Sequence, residues 1–132
     1  MSETPEKTLQ IALVAHDACK ETLVSWVGRH VAFFEAANIF ATGTTGGLLK
    51  EHHPGLTVNA FKSGPLGGDQ QIGALISEDK LDALFFFIDP MSPMPHDVDV
   101  KALTRLAIVY DIPMACSTAT ANCIVNYMSQ SV

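Results

Sequence analysis

Two short stretches of this sequence, Leu9–Ala15 and Ala83–Ile88, are almost unbroken runs of apolar residues. A strand with one face in water alternates apolar and polar side chains. An unbroken run requires burial on both faces, the situation of a central strand in a parallel sheet covered by helices on either side. Shorter runs at Ile39–Thr42, Thr57–Lys62 and Pro113–Cys116 read as further strands. Helical patterns fall between them. Asp69–Asp79 carries Ile72, Leu75 and Ile76 on one stripe, and Asp99–Tyr110 carries Leu103, Leu106, Ala107 and Tyr110. Lys20–Ala37 is expected to be helical with a break near Gly28, a short helix is expected after Gly46, and Thr118–Met128 closes the chain. Alternating strands and helices, without repeat or linker, predict one α/β domain over residues 1–132.

The composition narrows the function classes. With 48% apolar and 17% charged residues the chain holds enough for a core and is unlike a disordered sequence. A net charge of −6 argues against nucleic acid as a partner, since phosphates reward surplus Lys and Arg. It also means that an anionic ligand must be held by backbone N–H groups, hydroxyls and a few local cations. The apolar runs are too short to span a bilayer. Cys19, Cys116 and Cys123 are odd in number and form no C-x-x-C pair, and Met1–Thr8 is polar rather than leader-like. A cytoplasmic protein without membrane attachment is expected.

In a parallel sheet, ligands bind where the carboxyl ends of strands lead into helix N-termini. The polar clusters of this sequence follow its strands. They are His16-Asp17 with Lys20, then Thr42–Gly47, then Ser63–Asp69, and last Asp89 through His96, Asp97 and Asp99. Thr42–Gly47 reads as a loop of three threonines and three glycines. Glycine admits close approach of backbone, hydroxyls donate, and the helix beyond offers free N–H groups with a positive dipole end. Such a loop suits a phosphate monoester; taken alone it equally suits a capped turn. Ser63-Gly64 supplies a second anion cradle next door, and Lys20 a cation. Lys20 by itself would be an ordinary surface lysine.

Asp69 ends the Gly67-Gly68 turn where a helix begins, so it is either a helix cap or a carboxylate base. Asp17, Asp89 and Asp99 would be neighbours that raise its proton affinity. His96 stands in a proline-rich loop and can donate to a carbonyl or move a proton; isolated, it would be a plain loop histidine. His52-His53 before Pro54 reads as a solvated helix terminus. Cys19, beside Lys20 near a helix start, is expected to favour thiolate, with a buried inert thiol as the alternative. Phosphate cradle, carboxylate and histidine together define proton abstraction next to a carbonyl of a small phosphorylated substrate, through an enediolate. The residues do not choose among isomerisation, elimination and cleavage.

Four ordered blocks resemble the methylglyoxal synthase family: H-D-A-C-K at His16–Lys20, A-T-G-T-T-G at Ala41–Gly46, S-G-P-L-G-G-D-Q-Q-I-G at Ser63–Gly73, and the block from Asp89 to Ala107. The resemblance runs from about Lys7 to Ile124. It implies a three-layer α/β/α domain whose five-stranded parallel sheet has the order 3-2-1-4-5. It also implies a homohexamer, and conversion of dihydroxyacetone phosphate to methylglyoxal with no cofactor and no metal. Inorganic phosphate would be both product and competing inhibitor. By the family's pattern Asp69 is the base and His96 bonds the enediolate oxygen, while Asp99, Asp17, Asp89 and His16 organise that pair. Lys20, Thr42, Gly43, Thr44, Thr45, Ser63 and Gly64 match the phosphate-binding positions. One departure is the absence of any Arg or Lys after Arg105, where some members carry a C-terminal arginine that reaches a phosphate. The competing readings are a regulatory domain that binds a phosphorylated ligand without turnover, as in carbamoyl phosphate synthetase, and a metal-dependent lyase using His16, Asp17, His96 and Asp99. The latter lacks paired-ligand spacing.

Overall fold

The computed structural model describes residues 8–91 and 97–130, the side chains of 97–99 excepted. Strands β1 (Gln10–Ala15), β2 (Asn38–Thr42), β3 (Thr57–Phe61), β4 (Ala83–Phe87) and β5 (Met114–Ala115) form one parallel sheet in the order β3-β2-β1-β4-β5. The helices are α1 (Lys20–Arg29), α2 (Val31–Glu35), α3 (Gly43–His52), α4 (Gly68–Ser77), α5 (Asp97–Val109) and α6 (Thr118–Gln130).

The unbroken apolar runs become β1 and β4, the two strands at the middle of the sheet, and the pleat sorts their residues into two cores. Ile11, Leu13 and Ala15 of β1 and Phe85 and Phe87 of β4 face one way, against Leu23, Trp26 and Val27 of α1, Phe34, Leu49, Ala121 and Val125. Ala12 and Val14 with Leu84 and Phe86 face the other way, against Ile72 and Ile76 of α4 and Val100 and Leu103 of α5. Trp26 is the largest fully buried side chain, and its indole N–H is satisfied by donating to Asn122 Oδ1 at 2.7 Å. Helices therefore cover both faces, as continuous apolar strands require.

Several expected boundaries shift for local reasons. The break in the Lys20–Ala37 stretch falls at His30 instead of Gly28, which sits inside α1. The helix expected after Gly46 starts at Gly43, so Thr42–Gly47 is not a loop: the strand passes into the helix within one residue. Gly43 makes this possible with a left-handed φ of 53°. α4 and α5 each end on an aspartate in the left-handed region, Asp79 at φ 59° and Asp111 at φ 56°. There the N–H groups of Asp79 and Lys80 return to Ile76 and Leu75, and those of Asp111 and Ile112 to Ile108 and Ala107. That is the paired return bonding that satisfies a helix's last carbonyls. No helix among the described residues is long and apolar enough to cross a membrane.

Candidate active site

The strand-to-helix transitions after β1, β2, β3 and β4 meet in a cleft of about 590 Å³ lined by His16, Asp17, Lys20, Thr42, Gly43, Thr44, Thr45, Ser63, Gly64, Asp69 and Asp89. Phe86 and Pro65 also line it. Every expected site residue within the described part is there. His96 and the Asp99 side chain lie outside the described residues; the backbone of Asp99 belongs to the first turn of α5.

Two tight approaches build one side of the cleft. The Gly43 N–H donates to Lys62 O at 3.2 Å, and a Cβ on Gly43 would stand 3.1 Å from both Cα and Cβ of Ser63. The loops after β2 and β3 are thus in van der Waals contact, with no room for a side chain between them. A helix leaves its first N–H groups without helical acceptors and with the positive dipole end, and Thr44 and Thr45, which follow Gly43 in the first turn of α3, both line the cleft. Thr45 Oγ1 is sealed from solvent and has no hydrogen-bond partner among the described residues. An unpaired buried hydroxyl is unusual, and this one belongs to a residue that lines the cleft.

Asp69 borders the same Ser63-Gly64 turn. The helix-cap reading fails on geometry, because the capping position is Gly67, held at φ 114°, and Asp69 is inside the first turn of α4. Gly68 packs so closely that a Cβ there would lie 1.9 Å from Lys62 O, which holds the start of α4 against β3. Asp69 is only 3% exposed. Its carboxylate rests over Gly64, where a Cβ would meet both oxygens at 3.2 Å. The Ser63-Gly64 turn therefore seats the carboxylate as well as lining the cleft.

Lys20 and Asp17 form a pair on the first helical turn, Nζ to Oδ1 at 2.5 Å, with the lysine side chain 21% and the aspartate 96% exposed. The lysine's hydrogen bond first, and its charge second, hold the Asp17 carboxyl below the usual carboxylate range. The expectation of Asp17 as one of a cluster of acids raising Asp69's proton affinity is not what this placement describes; its partner is the lysine. His16 is oriented by the strand beside it. The Asp89 N–H donates to His16 Nδ1 at 3.0 Å, so the neutral ring carries its proton on Nε2. The ring packs edge-on against Phe86 at 5.3 Å. The Asp89 carboxylate in turn accepts from the Met91 N–H at 3.0 Å, which fixes the turn after β4.

Two expectations are corrected here. Cys19 is half-buried, and burial first, then the charge of Asp89, push its thiol up rather than toward thiolate. His53 is not a solvated terminus: it is half-buried and its Nε2 lies 3.0 Å from Val24 O. Phe86 is a cleft residue that sequence reasoning had no means to separate from the rest of a buried strand.

Residues 22–116 match the family model described as MGS-like domain. The chain is 58% identical over 113 residues to the methylglyoxal synthase of Brucella ovis, covering 86% of this chain and 90% of that one. It is 59% identical over 120 residues to the methylglyoxal synthase of Pseudoalteromonas atlantica, covering 91% and 87%. This chain belongs to the methylglyoxal synthase family. The fold agrees: the crystal structure of methylglyoxal synthase from Elizabethkingia anophelis superposes with a TM-score of 0.83 at 50% identity, covering 89% of this chain and 77% of that one. His16, Asp17 and Lys20 lie just ahead of the matched segment of the methylglyoxal synthase family model, and Thr42 through Asp89 lie within it.

Proposed function

We propose that this chain converts dihydroxyacetone phosphate to methylglyoxal and inorganic phosphate, the reaction implied by the name its relatives carry. The observation that carries the reading is a buried carboxylate, Asp69, facing a cleft that also holds a helix N-terminus and Lys20. Such a cleft can bind a phosphate and offer a base beside it. In this reading the phosphate sits on the N–H groups and hydroxyls of Thr44 and Thr45, on Ser63-Gly64 and on Lys20. Charge-assisted bonds to these donors hold it despite the chain's net negative charge.

Asp69 takes a proton from the hydroxymethyl carbon, and the C–H electron pair moves into an enediolate with the charge on the former carbonyl oxygen. His96 is assigned by the family pattern to donate toward that oxygen, with Asp99, Asp17, Asp89 and His16 organising the pair. The former carbonyl oxygen takes up a proton, and the hydroxyl on the former hydroxymethyl carbon gives one up as that carbon becomes the aldehyde. The C=C electron pair shifts toward the phosphate-bearing carbon, whose C–O bond breaks; phosphate departs and leaves the enol of methylglyoxal, which ketonises. Expulsion requires that C–O bond to stand perpendicular to the enediolate plane; a cradle that fixes the phosphate out of that plane would favour expulsion over reprotonation.

A single domain over residues 1–132, a homohexameric assembly and a cytoplasmic location complete the proposal; the family resemblance supports them. The test is to supply purified protein with dihydroxyacetone phosphate and follow methylglyoxal and phosphate together. Equal release of both supports the enzyme. Stoichiometric binding without release would make the chain a ligand-binding module instead.

A further inference from the structure

Helices α1 and α3 bring to the cleft its cation and its helix N-terminus. Lys20 opens α1, while Thr44 and Thr45 stand in the first turn of α3. The two helices share a core through Val24, Val27 and Leu49. A groove of about 580 Å³ runs between them, lined by Glu21, Val24, Ser25, Leu48, His52 and His53. His53, the residue after α3, spans it, with Nε2 3.0 Å from the Val24 carbonyl oxygen of α1. A carbonyl only accepts, so Nε2 carries a proton and donates, in the neutral and the protonated ring alike.

The ring needs a particular seat. A Cβ on Gly28 would lie 3.0 Å from His53 Cε1 and 3.4 Å from Nε2, so a side chain there would press the imidazole aside by a few tenths of an ångström. Glycine is disfavoured inside a helix on its own account. Its presence in α1 is explained by what fills the space it leaves.

We infer that His53, seated on Gly28, is a positioning residue that clasps α1 to α3 and thereby holds Lys20 at its working distance from Thr44 and Thr45. The inference rests on the reading of the cleft as a phosphate site. Gly28 lies about 12 Å along α1 from Lys20, so a tilt of about 5° at the clasp moves the lysine's backbone by about 1 Å. Displacements of that size at a binding constellation are costly.

The test uses the full chain, with inorganic phosphate as the calorimetric probe and dihydroxyacetone phosphate in steady-state kinetics. His53→Ala and Gly28→Ala are each expected to weaken phosphate binding and raise KM about five- to tenfold, with kcat within about twofold of wild type. His53→Gln, whose amide still donates to Val24 O, is expected to recover most of the affinity. Adding Gly28→Ala to His53→Ala should change phosphate binding no further, because no ring remains to displace. If His53→Ala does not fold, Gly28→Ala and His53→Gln carry the comparison. Unchanged phosphate affinity and KM in the variants, with a lowered Tm, would overturn the positioning role and leave a contact that serves stability alone. A wild-type chain that binds no phosphate would overturn the cleft reading itself, and the clasp's function with it.

Discussion

Asp69→Asn separates chemistry from architecture at the only buried carboxylate among the described residues. Asparagine keeps the size of aspartate, so it keeps the seat over Gly64 that the close approach there defines. What it loses is the charge and the basic lone pair. A positioned general base contributes about 10²–10⁴-fold, so turnover should fall by that factor, a barrier increase of about 3–5.5 kcal/mol. Because proton transfer occurs in the transition state, kcat and kcat/KM should fall together, while phosphate affinity persists.

The stability side is worked from the same geometry. Asp69 is in the first turn of α4 without being its cap, so losing its charge forfeits a dipole interaction of about 0.3–1 kcal/mol. Relief from keeping an ionised carboxylate out of water opposes that loss. The net change should stay within about 1 kcal/mol, a Tm shift of no more than about 4 °C. Kinetics, phosphate calorimetry and thermal melting on one preparation give all three readouts. A variant that turns over within a few-fold of wild type would refute the assignment and make Asp99 the candidate base. A variant that loses phosphate binding and melts early would show that the carboxylate is part of the scaffold.

Gly43→Ala should lower Tm by several degrees and weaken phosphate binding, since a left-handed φ costs an L-residue about 1–2 kcal/mol and the new methyl meets Ser63 backbone; melting and calorimetry check both, and a wild-type-like variant would show the two loops are loosely joined. Asp17→Asn removes the negative partner of Lys20 and should tighten phosphate binding roughly two- to fivefold at low salt, less at high salt; weakened binding would mean that Asp17 serves to hold the lysine in place. The same pair sets a pH dependence. With the folded-state carboxyl lowered, its contribution to stability is present above the unfolded value and is lost as pH falls through the folded one, so the melting difference between wild type and Asp17→Asn should vanish in acid. Limited alkylation near neutral pH should label exposed Cys123 before Cys19, whose thiol burial and Asp89 push up; peptide mapping that finds Cys19 first would contradict this.

The two-sided burial of β1 and β4 was legible because it leaves a composition with no other cause, and from it followed the parallel sheet and the edge where the site lies. Less legible was anything decided by close approach. Thr42–Gly47 reads as a loop because glycine and β-branched threonine are poor helix formers. In the structure Gly46 packs between Ala41 and Ala60, where a Cβ would lie 3.6 and 3.3 Å from theirs, so packing against the sheet overrides propensity. Gly28 reads as a helix break for the same reason and is instead a seat for His53, a residue 25 positions away whose approach no periodicity announces. Asp69 shows the opposite case. Its position after Gly67-Gly68 fits a cap or a base equally well, and only the left-handed turn at Gly67, one residue before α4, decides against the cap.

How a chain of net charge −6 binds a dianion follows from where its charges stand. The donors assigned to the phosphate are N–H groups fixed by the folded backbone, together with short hydroxyl side chains, and they add no net charge. The cation beside them is already neutralised by Asp17, so an incoming phosphate need not bind a bare lysine: it exchanges one anionic partner for another. That exchange cuts the affinity for any anion, and it cuts it most for weak ones that cannot also reach the N–H groups of α3. An Asp17–Lys20 pair at the mouth of an uncharged cradle is therefore an argument about selectivity. It favours a ligand that engages both features at once, as a phosphate monoester does and a simple carboxylate does not.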